Sequence, residues 1–244
     1  MKKKSLKPKV RFNNVRNISY QKGWDMQTDI HEQLKKNKLA WRGLSEAEKM
    51  SKYQINELLF CEHNHVFTIG KSGSIDHLLL DESGLKSKEV EFYKINRGGD
   101  ITYHGPGQLT GYPIFDLDEF FTDVHKYVRY LEEVVIRLLD TYGIVGVREK
   151  GFTGVWIASN DREPQKRKIC AIGVHLSRWV TMHGFALNIN NDLAYYNHII
   201  PCGIDDQSKT VTSIAYELDK KVDMNEVIMQ MKSIFADVFE FEYI

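Results

Sequence analysis

One cysteine of this sequence stands where a thiol would be displayed rather than packed away. Cys202 lies between Pro201, which fixes the backbone angle φ, and Gly203, which lets the backbone turn tightly. A free cysteine is more often a buried core residue, and Cys61 and Cys170, which lie inside apolar stretches, fit that pattern. Cys202 is therefore the candidate nucleophile of the chain.

A cysteine nucleophile needs a neighbouring base or cation that stabilises its thiolate. The candidates by type are His104, His183, His198 and the lysines near Ile169. Among these lysines Lys168 opens the apolar run Lys-Ile-Cys-Ala-Ile-Gly, so we expect it at the mouth of a strand and not on a mobile loop. By residue type alone it would more often be a surface lysine, so the choice among these candidates stays open at this point.

Residues 97–108 form a second unusual segment, which reads Arg-Gly-Gly-Asp-Ile-Thr-Tyr-His-Gly-Pro-Gly-Gln. Each glycine costs chain entropy on folding, and a hairpin turn needs only one or two of them. The spacing matches neither the P-loop pattern nor the dinucleotide pattern of glycine-rich phosphate sites. The segment therefore predicts a binding loop, whose glycines would let the backbone come close to a ligand.

Metal binding has little support in the sequence. His63 and His65 flank Asn64 on a predicted strand and would share one face, but two histidines without a third ligand are weak evidence. The chain has no H-E-x-x-H motif and no paired cysteines. We expect no metal and no other cofactor.

The composition is that of an ordinary globular protein. Of 244 residues 42% are hydrophobic, and 33 Lys and Arg balance 33 Asp and Glu, which gives no sign of nucleic-acid binding. The apolar runs are too short to span a bilayer, and none follows the lysine-rich start as an export signal requires. Three widely spaced cysteines favour a reducing cytoplasm. We expect a basic tail over residues 1–17 and a single domain over residues 18–244.

Hydrophobic periodicity predicts the elements that must position these groups. Helices are expected over residues 20–38, 123–142 and 224–239. Strands are expected over residues 57–69, 90–96, 110–117, 154–158, 169–176 and 181–188. Because strands follow one another without a regular βαβ rhythm, the pattern favours an α+β domain around a mixed or antiparallel central sheet flanked by helices.

Taken together, the segments closely resemble the lipoyl(octanoyl) transferases of lipoate biosynthesis. The resemblance rests on residues 97–108, on Lys-Ile-Cys-Ala-Ile-Gly at 168–173, on His-Gly-Phe-Ala-Leu-Asn at 183–188 and on the Pro-Cys-Gly turn around Cys202. It implies the fold of biotin and lipoate protein ligases, and transfer of an octanoyl or lipoyl group to a lysine of lipoyl domains.

The resemblance also implies roles for individual residues. Cys202 would carry the acyl group as a thioester, and Lys168 would be its catalytic partner, with an ion pair or a neutral pair at rest. The expected substrate contacts are Arg97, Gly98, Gly99, Asp100, Ile101, Thr102, Tyr103, His104, Ala171, Ile172, Gly173, Gly184, Phe185 and Ala186.

The partners follow from the same resemblance. The donor would be octanoyl-acyl carrier protein, and the acceptors would be the lipoyl domains of 2-oxoacid dehydrogenase complexes and the glycine cleavage H protein. Thioester-to-amide transfer runs downhill, so no ATP, metal or redox cofactor is required. Since both partners are expected to be acidic, Lys166, Arg167 and Arg178 are candidates for a basic docking patch.

Three alternatives compete with this interpretation. An ATP-dependent lipoate or biotin protein ligase shares the fold but needs no nucleophilic cysteine. A non-catalytic acyl-binding domain would use Cys202 only structurally, and a Cys-His hydrolase would pair it with His104 or His183. The Pro-Cys-Gly turn favours the transferase.

Overall fold

A computed structural model of the protein describes residues 7–45, 48, 52–200 and 208–244. In this part of the chain the strands are β1 (Lys9–Ile18), β2 (Ile55–His63), β3 (Val66–Ile69), β4 (Glu91–Lys94), β5 (Ile101–His104), β6 (Gln108–Ile114), β7 (Gly146–Glu149), β8 (Phe152–Ile157), β9 (Lys166–Ser177), β10 (Val180–Asn188), β11 (Lys209–Val211) and β12 (Glu242–Tyr243). The helices are α1 (Tyr20–Trp41), α2 (Glu82–Ser87), α3 (Val124–Thr141), α4 (Ile214–Leu218) and α5 (Met224–Phe239).

Most of the strands form one mixed sheet in the order β12-β1-β2-β6-β10-β9-β8-β7, with β11 added beside β9. The pairs β12–β1, β1–β2 and β11–β9 are parallel, and the remaining pairs of this sheet are antiparallel. A second small sheet has the order β4-β3-β5. The predicted α+β class with a mixed sheet flanked by helices is confirmed.

The two faces of the main sheet are covered by different helices. Successive side chains of a strand point to opposite faces, and β2 shows this clearly. Leu58 and Phe60 join the large core under α3 and α5, whereas Leu59 packs in a separate cluster with Leu34 of α1. The sheet is therefore sandwiched between α1 on one side and α3 with α5 on the other.

The predicted helices are confirmed, with small shifts at their ends. Helix α3 begins after Asp123, whose side chain accepts a hydrogen bond from the backbone N–H of Lys126. It ends before Gly143, which adopts a φ of 71° that favours glycine. Helix α5 spans Met224–Phe239, as predicted.

Two predictions need correction, one of a strand and one of a loop. The run 57–69 is two strands, β2 in the main sheet and β3 in the small sheet, because the chain bends at Asn64 and His65 and changes sheet there. The predicted shared face of His63 and His65 does not exist. In addition, the segment 97–108 is not a continuous loop, since β5 lies inside it and pairs with β3.

The N-terminal prediction also differs from the structure. Lys9–Ile18, most of which we expected in a basic tail, is strand β1 and lies between β12 and β2. Val10 is fully buried and Phe12 packs against the same core, while Arg11 and Asn13 alternate with them and donate hydrogen bonds to the Glu57 carboxylate. Because most residues of β1 are polar, the alternation typical of a half-buried strand was not recognisable in its sequence.

Candidate active site

The glycine-rich segment and strands β9 and β10 together enclose a cavity of about 320 Å³. Lys168 lines it, and so do all the predicted substrate contacts except Tyr103. The structure therefore brings the glycine-rich segment together with the two motifs of the β9–β10 hairpin, which come much later in the sequence. Further lining residues outside the predicted set of substrate contacts include Tyr20, Tyr112, Asn188, Tyr196 and Val211.

Backbone packing between the motifs shapes the cavity wall. Strands β9 and β10 pair with Gly173 opposite Gly184, and Gly98 donates its N–H to the carbonyl oxygen of Val174 at 2.9 Å. A Cβ atom on Gly173 would lie 2.7 Å from the carbonyl oxygen of Gly98. At this position glycine serves a close approach between two protein segments, and not only the expected approach of backbone to ligand.

Arg97 is buried and ties the glycine-rich segment to the small sheet. Its Nη2 atom donates to the carbonyl oxygen of Thr68 at 2.7 Å and to the Thr68 hydroxyl at 3.1 Å. Its Nη1 atom donates to the carbonyl oxygen of Gly98 at 3.0 Å. The guanidinium group therefore fixes the cavity wall as well as lining it.

The two cavity histidines are held in the neutral form. His104 has Nδ1 at 2.9 Å from Oε1 of Gln108, and burial lowers the pKa of its imidazole to about 3. His183 has Nε2 at 2.7 Å from Oδ1 of Asn96, and burial together with the nearby Arg97 charge lowers its pKa to about 3 as well. Neither ring carries a positive charge near neutral pH, so neither is suited to stabilise a thiolate as a cation.

Lys168 is a second cationic group at the cavity, besides Arg97. It lies on β9 opposite Trp156 of β8 and Val211 of β11, and it is half-buried. Its Nζ atom lies 4.6 Å from the centre of the Trp156 ring, within the range of a cation–π contact. The expected position at a strand mouth is close to the structure, since Lys168 is the third residue of β9.

Cys202 lies outside the described residues, as does the rest of the Pro-Cys-Gly turn. The chain on either side is well fixed. The N–H of Ile200 donates to the carbonyl oxygen of His77 at 2.8 Å, and the N–H of Lys166 donates to the carbonyl oxygen of Ser208 at 2.9 Å. After the turn, the described chain therefore resumes at Ser208, beside Lys166, which is two residues before Lys168 on β9.

Asp100 connects the cavity to the chain just before the Pro-Cys-Gly turn. Its carboxylate accepts a hydrogen bond from Nδ1 of His77, the residue whose carbonyl oxygen accepts from Ile200. The sequence analysis missed His77, and no motif around it points to the site. Its role is visible only because the 3₁₀ turn Ile75–His77 folds back onto the glycine-rich segment.

Tyr103 departs from the predicted set of substrate contacts. Its ring stacks on Tyr195 with the centroids 5.0 Å apart, and its hydroxyl lies 2.8 Å from Nδ1 of His65. Because side chains alternate along β5, Tyr103 faces the cluster behind the cavity while Thr102 and His104 line the cavity.

The proposed basic docking patch is wrong in its original form. Arg167 is only 1% exposed and pairs through two nitrogens with the Glu217 carboxylate, at 2.7 and 3.1 Å. Lys166 is partly exposed and pairs with Glu149 at 2.7 Å. Arg178 lies in the turn at the far end of β9, so it belongs to another region of the surface.

Cys61 and Cys170 are buried free thiols, as predicted, and burial raises the pKa of the Cys61 thiol to about 12. Among the described residues no group of three or more His, Cys, Asp or Glu side chains could hold a metal ion. Within the same ranges, no helix combines the length and the apolar character needed to cross a bilayer.

The family model described as the lipoyl protein ligase A/B catalytic domain matches residues 19–236. The chain belongs to this family. It is 54% identical over 223 residues to an octanoyltransferase of Cytophaga hutchinsonii, an alignment that covers 91% of this chain and 89% of that protein. It is 48% identical over 240 residues to an octanoyltransferase of Flavobacterium johnsoniae, covering 98% of this chain and all of that one. The predicted resemblance is confirmed.

Solved structures support the same fold. The bipartite lipoate protein ligase of Thermoplasma acidophilum superposes with a TM-score of 0.65 at 14% identity, covering 97% of this chain and 86% of that chain. A lipoate-protein ligase A bound with ATP superposes with a TM-score of 0.64 at 14% identity, covering 98% and 88%. At this identity the likeness establishes the fold.

Proposed function

We propose that this chain moves an octanoyl group from acyl carrier protein to a lysine of lipoyl domains through a thioester on Cys202. The chain is an acyltransferase of the octanoyltransferase type, since octanoyltransferases are about half identical to it over nearly the whole sequence. The donor, the acceptor domains and the covalent intermediate are the parts that this proposal adds.

One observation carries the proposal, namely the position of Lys168 at a cavity formed by the three motif segments. The two histidines of that cavity are neutral, and the Arg97 guanidinium is bound to Gly98 and Thr68 and cannot act as a base. Lys168 is therefore the side chain that can stabilise a thiolate and later exchange protons. Cys202 follows Ile200 and precedes Ser208, and Ser208 is hydrogen-bonded to the residue two before Lys168.

In the first half-reaction the Cys202 thiolate attacks the carbonyl carbon of the octanoyl thioester. The bond from that carbon to the carrier sulfur breaks, and Lys168 gives a proton to the departing thiolate. One thioester replaces another, so the step is close to neutral in energy. The neutral amine of Lys168 is then ready to act as a base.

In the second half-reaction the amine of the acceptor lysine attacks the acyl-Cys202 carbonyl. Lys168 takes the proton that the amine loses, and the Cys202 thiolate departs as the amide forms. An amide is more stable than a thioester, so this half drives the transfer without ATP.

The cavity suits a thin acyl chain. Its volume of about 320 Å³ lies at the small end of ligand pockets, which measure about 300 to 1,000 Å³. Burial of about six methylene groups at ~0.8 kcal/mol each contributes up to about 5 kcal/mol to substrate binding. Chain length would then be selected by the depth of the cavity beyond Lys168.

The test is to incubate the protein with octanoyl-acyl carrier protein, without ATP, and to weigh it intact. We expect one octanoyl adduct on wild type and none on Cys202→Ala. Adduct formation that requires ATP would support a ligase, accumulation of free octanoate would support a hydrolase, and no adduct with or without ATP would refute the proposal.

We place the enzyme in the cytoplasm, in keeping with the free thiols Cys61 and Cys170.

A further inference from the structure

The residue before Lys168 on β9 takes part in a buried ion pair. Arg167, which precedes Lys168 in β9, donates from Nε to Oε1 of Glu217 at 2.7 Å and from Nη2 to Oε2 at 3.1 Å. Glu217 belongs to the short helix α4, which follows β11 in the chain. The pair therefore joins the strand that carries Lys168 to the helix beyond β11.

The same carboxylate also holds the end of β11. The hydroxyl of Thr212 donates to Oε1 of Glu217 at 2.7 Å, and Thr212 is fully buried. Its backbone N–H donates to the carbonyl oxygen of Lys168 at 3.0 Å, and its carbonyl oxygen accepts from Nδ2 of Asn188 at 2.9 Å. Thr212 is thus fixed at three points, between Lys168 and a residue of the cavity wall.

Stability alone is a weak reason for such a pair. A buried ion pair is often no more stabilising than a well-packed apolar pair of similar size, because both charges lose their hydration. The pair instead provides a defined orientation, because a bidentate arginine–carboxylate contact fixes two groups in one geometry. Here it fixes β9 relative to β11 and helix α4.

We propose that Arg167, Glu217 and Thr212 are positioning residues that hold Lys168 in place at the cavity. The inference rests on the proposed function of Lys168 and Cys202. Strand β11 begins at Lys209, and its register against β9 (Thr210 opposite Arg167, Val211 opposite Lys168) keeps it beside the lysine. Loosening the cluster would move the Lys168 amine without removing any reacting group.

The decisive variant replaces the whole pair by apolar residues, as Arg167→Met with Glu217→Leu, and Thr212→Val is the second variant. The matched control is Arg11→Met with Glu57→Leu, which removes a partly buried ion pair of 2.9 Å between β1 and β2, on another edge of the sheet. All variants are compared with the full wild-type chain after their thermal unfolding has been measured.

Two readouts separate positioning from structure. The first is the rate of Cys202 acylation at saturating octanoyl-acyl carrier protein, together with the donor concentration at half-maximal rate. The second is the pH midpoint for alkylation of Cys202 by iodoacetamide, mapped by peptide mass. A misplacement of about 1 Å in a reacting group can cost about a hundredfold in rate, so we expect a ten- to hundredfold slower acylation, an unchanged half-saturation and a shifted midpoint.

Wild-type acylation and an unshifted alkylation midpoint in both cluster variants would overturn the inference, even if they unfold at lower temperature. Thr212→Val decides alone if the double variant does not fold, since it removes one hydroxyl and keeps the shape. If wild type itself forms no adduct, the proposed function fails, and the alkylation midpoint still tests whether the cluster controls the Cys202 thiol. The Arg11 and Glu57 variant is expected to match wild type in both readouts.

Discussion

The Nζ atom of Lys168 lies 4.6 Å from the centre of the Trp156 ring, on the neighbouring strand of the main sheet. The ring is fully buried, so the contact restrains a side chain that is otherwise long and flexible. A cation–π contact of this kind contributes about 0.5 to 2 kcal/mol. Trp156 therefore orients the side chain that we propose exchanges protons in both half-reactions.

The first prediction concerns this contact. Trp156→Leu removes the ring face that holds Lys168, and we expect Cys202 acylation to slow by about two- to thirtyfold, the rate equivalent of about 0.5 to 2 kcal/mol. Single-turnover kinetics with octanoyl-acyl carrier protein measure the effect. Phe121→Leu removes the equivalent contact of Lys126, which lies 4.3 Å from the Phe121 ring, and should leave the rate unchanged. Equal slowing in both variants would contradict a specific role of Trp156.

The second prediction separates the two roles of Lys168. Lys168→Arg keeps a positive charge, but a guanidinium cannot act as a base at neutral pH. We expect this variant to form the octanoyl adduct at a reduced rate and to transfer it to a lipoyl domain at least about a hundredfold more slowly than wild type.

Lys168→Met removes both roles and should abolish both half-reactions, whereas Lys94→Met, an exposed strand lysine on β4, should affect neither. Intact mass reports adduct formation, and the mass of the lipoyl domain reports transfer. Unimpaired transfer by Lys168→Arg would show that another group accepts the proton.

The third prediction concerns the packing of the glycine-rich segment on β9. Gly173→Ala places a methyl group 2.7 Å from the carbonyl oxygen of Gly98, and the wall must move to accommodate it. We expect a loss of about 1 to 3 kcal/mol in the free energy of unfolding, as overpacking usually costs, and weaker binding of octanoate. Gly43→Ala meets no atom within 4 Å and should change neither quantity in urea unfolding and calorimetric titration.

The fourth prediction concerns acid stability. The pKa values of the buried histidines are lowered to about 4 for His63 and about 3 for His104 and His183, mainly by burial. Because the folded-state pKa lies below the unfolded value of about 6.5, each contributes stability that is complete above about pH 6.5. That stability is lost as the pH falls towards the folded-state pKa, at up to about 1.4 kcal/mol per pH unit for each ring.

His104→Gln removes one of these titrations, so the slope of the free energy of unfolding against pH should decrease by about 1.4 kcal/mol per pH unit. Urea unfolding between pH 7.5 and pH 5 measures the slope. An unchanged slope would mean that His104 does not stay neutral in the folded protein.

The fifth prediction replaces the original docking patch. Lys166 and Lys150 lie on β9 and on the exposed turn between β7 and β8, beside cavity residues Gly151 and Phe152. Reversing both lysines to glutamate should raise the KM for octanoyl-acyl carrier protein at low salt, and less so at high salt. Arg178→Glu, at the far end of β9, should leave the KM unchanged. Insensitivity of the KM to the lysine reversal would exclude docking on this face.

The sequence predicted the helices and the main strands well, because long amphipathic segments such as α3 carry a strong periodic signal. It failed where a turn is hidden inside an apolar run. Nothing in the composition of residues 57–69 shows that Asn64 and His65 carry the chain from one sheet to another. Strand β1 was missed because only Val10 and Phe12 of its first residues face the core.

The motifs of the site could be predicted from the sequence, but the arrangement of their residues in space could not. Arg167 was expected beside Lys166 in a basic docking patch, and its burial depends on Glu217, a partner fifty residues away that no local pattern reveals. His77 was missed for the same reason, since Asp100 and Ile200 meet it only in the folded chain. Long-range pairing decides which polar residues are buried, and a single sequence does not encode it locally.

The pairing of β1 with β12 has a consequence for the synthesis of this protein. Lys9 lies opposite Glu242, so the outer edge of β1 is covered only after synthesis has proceeded as far as β12. Until then β1 can add to β2 but exposes a row of unpaired backbone groups, which is a template for pairing with other chains. Lys9 and Arg11 put positive charge on that strand, and charge on an edge strand discourages such contacts.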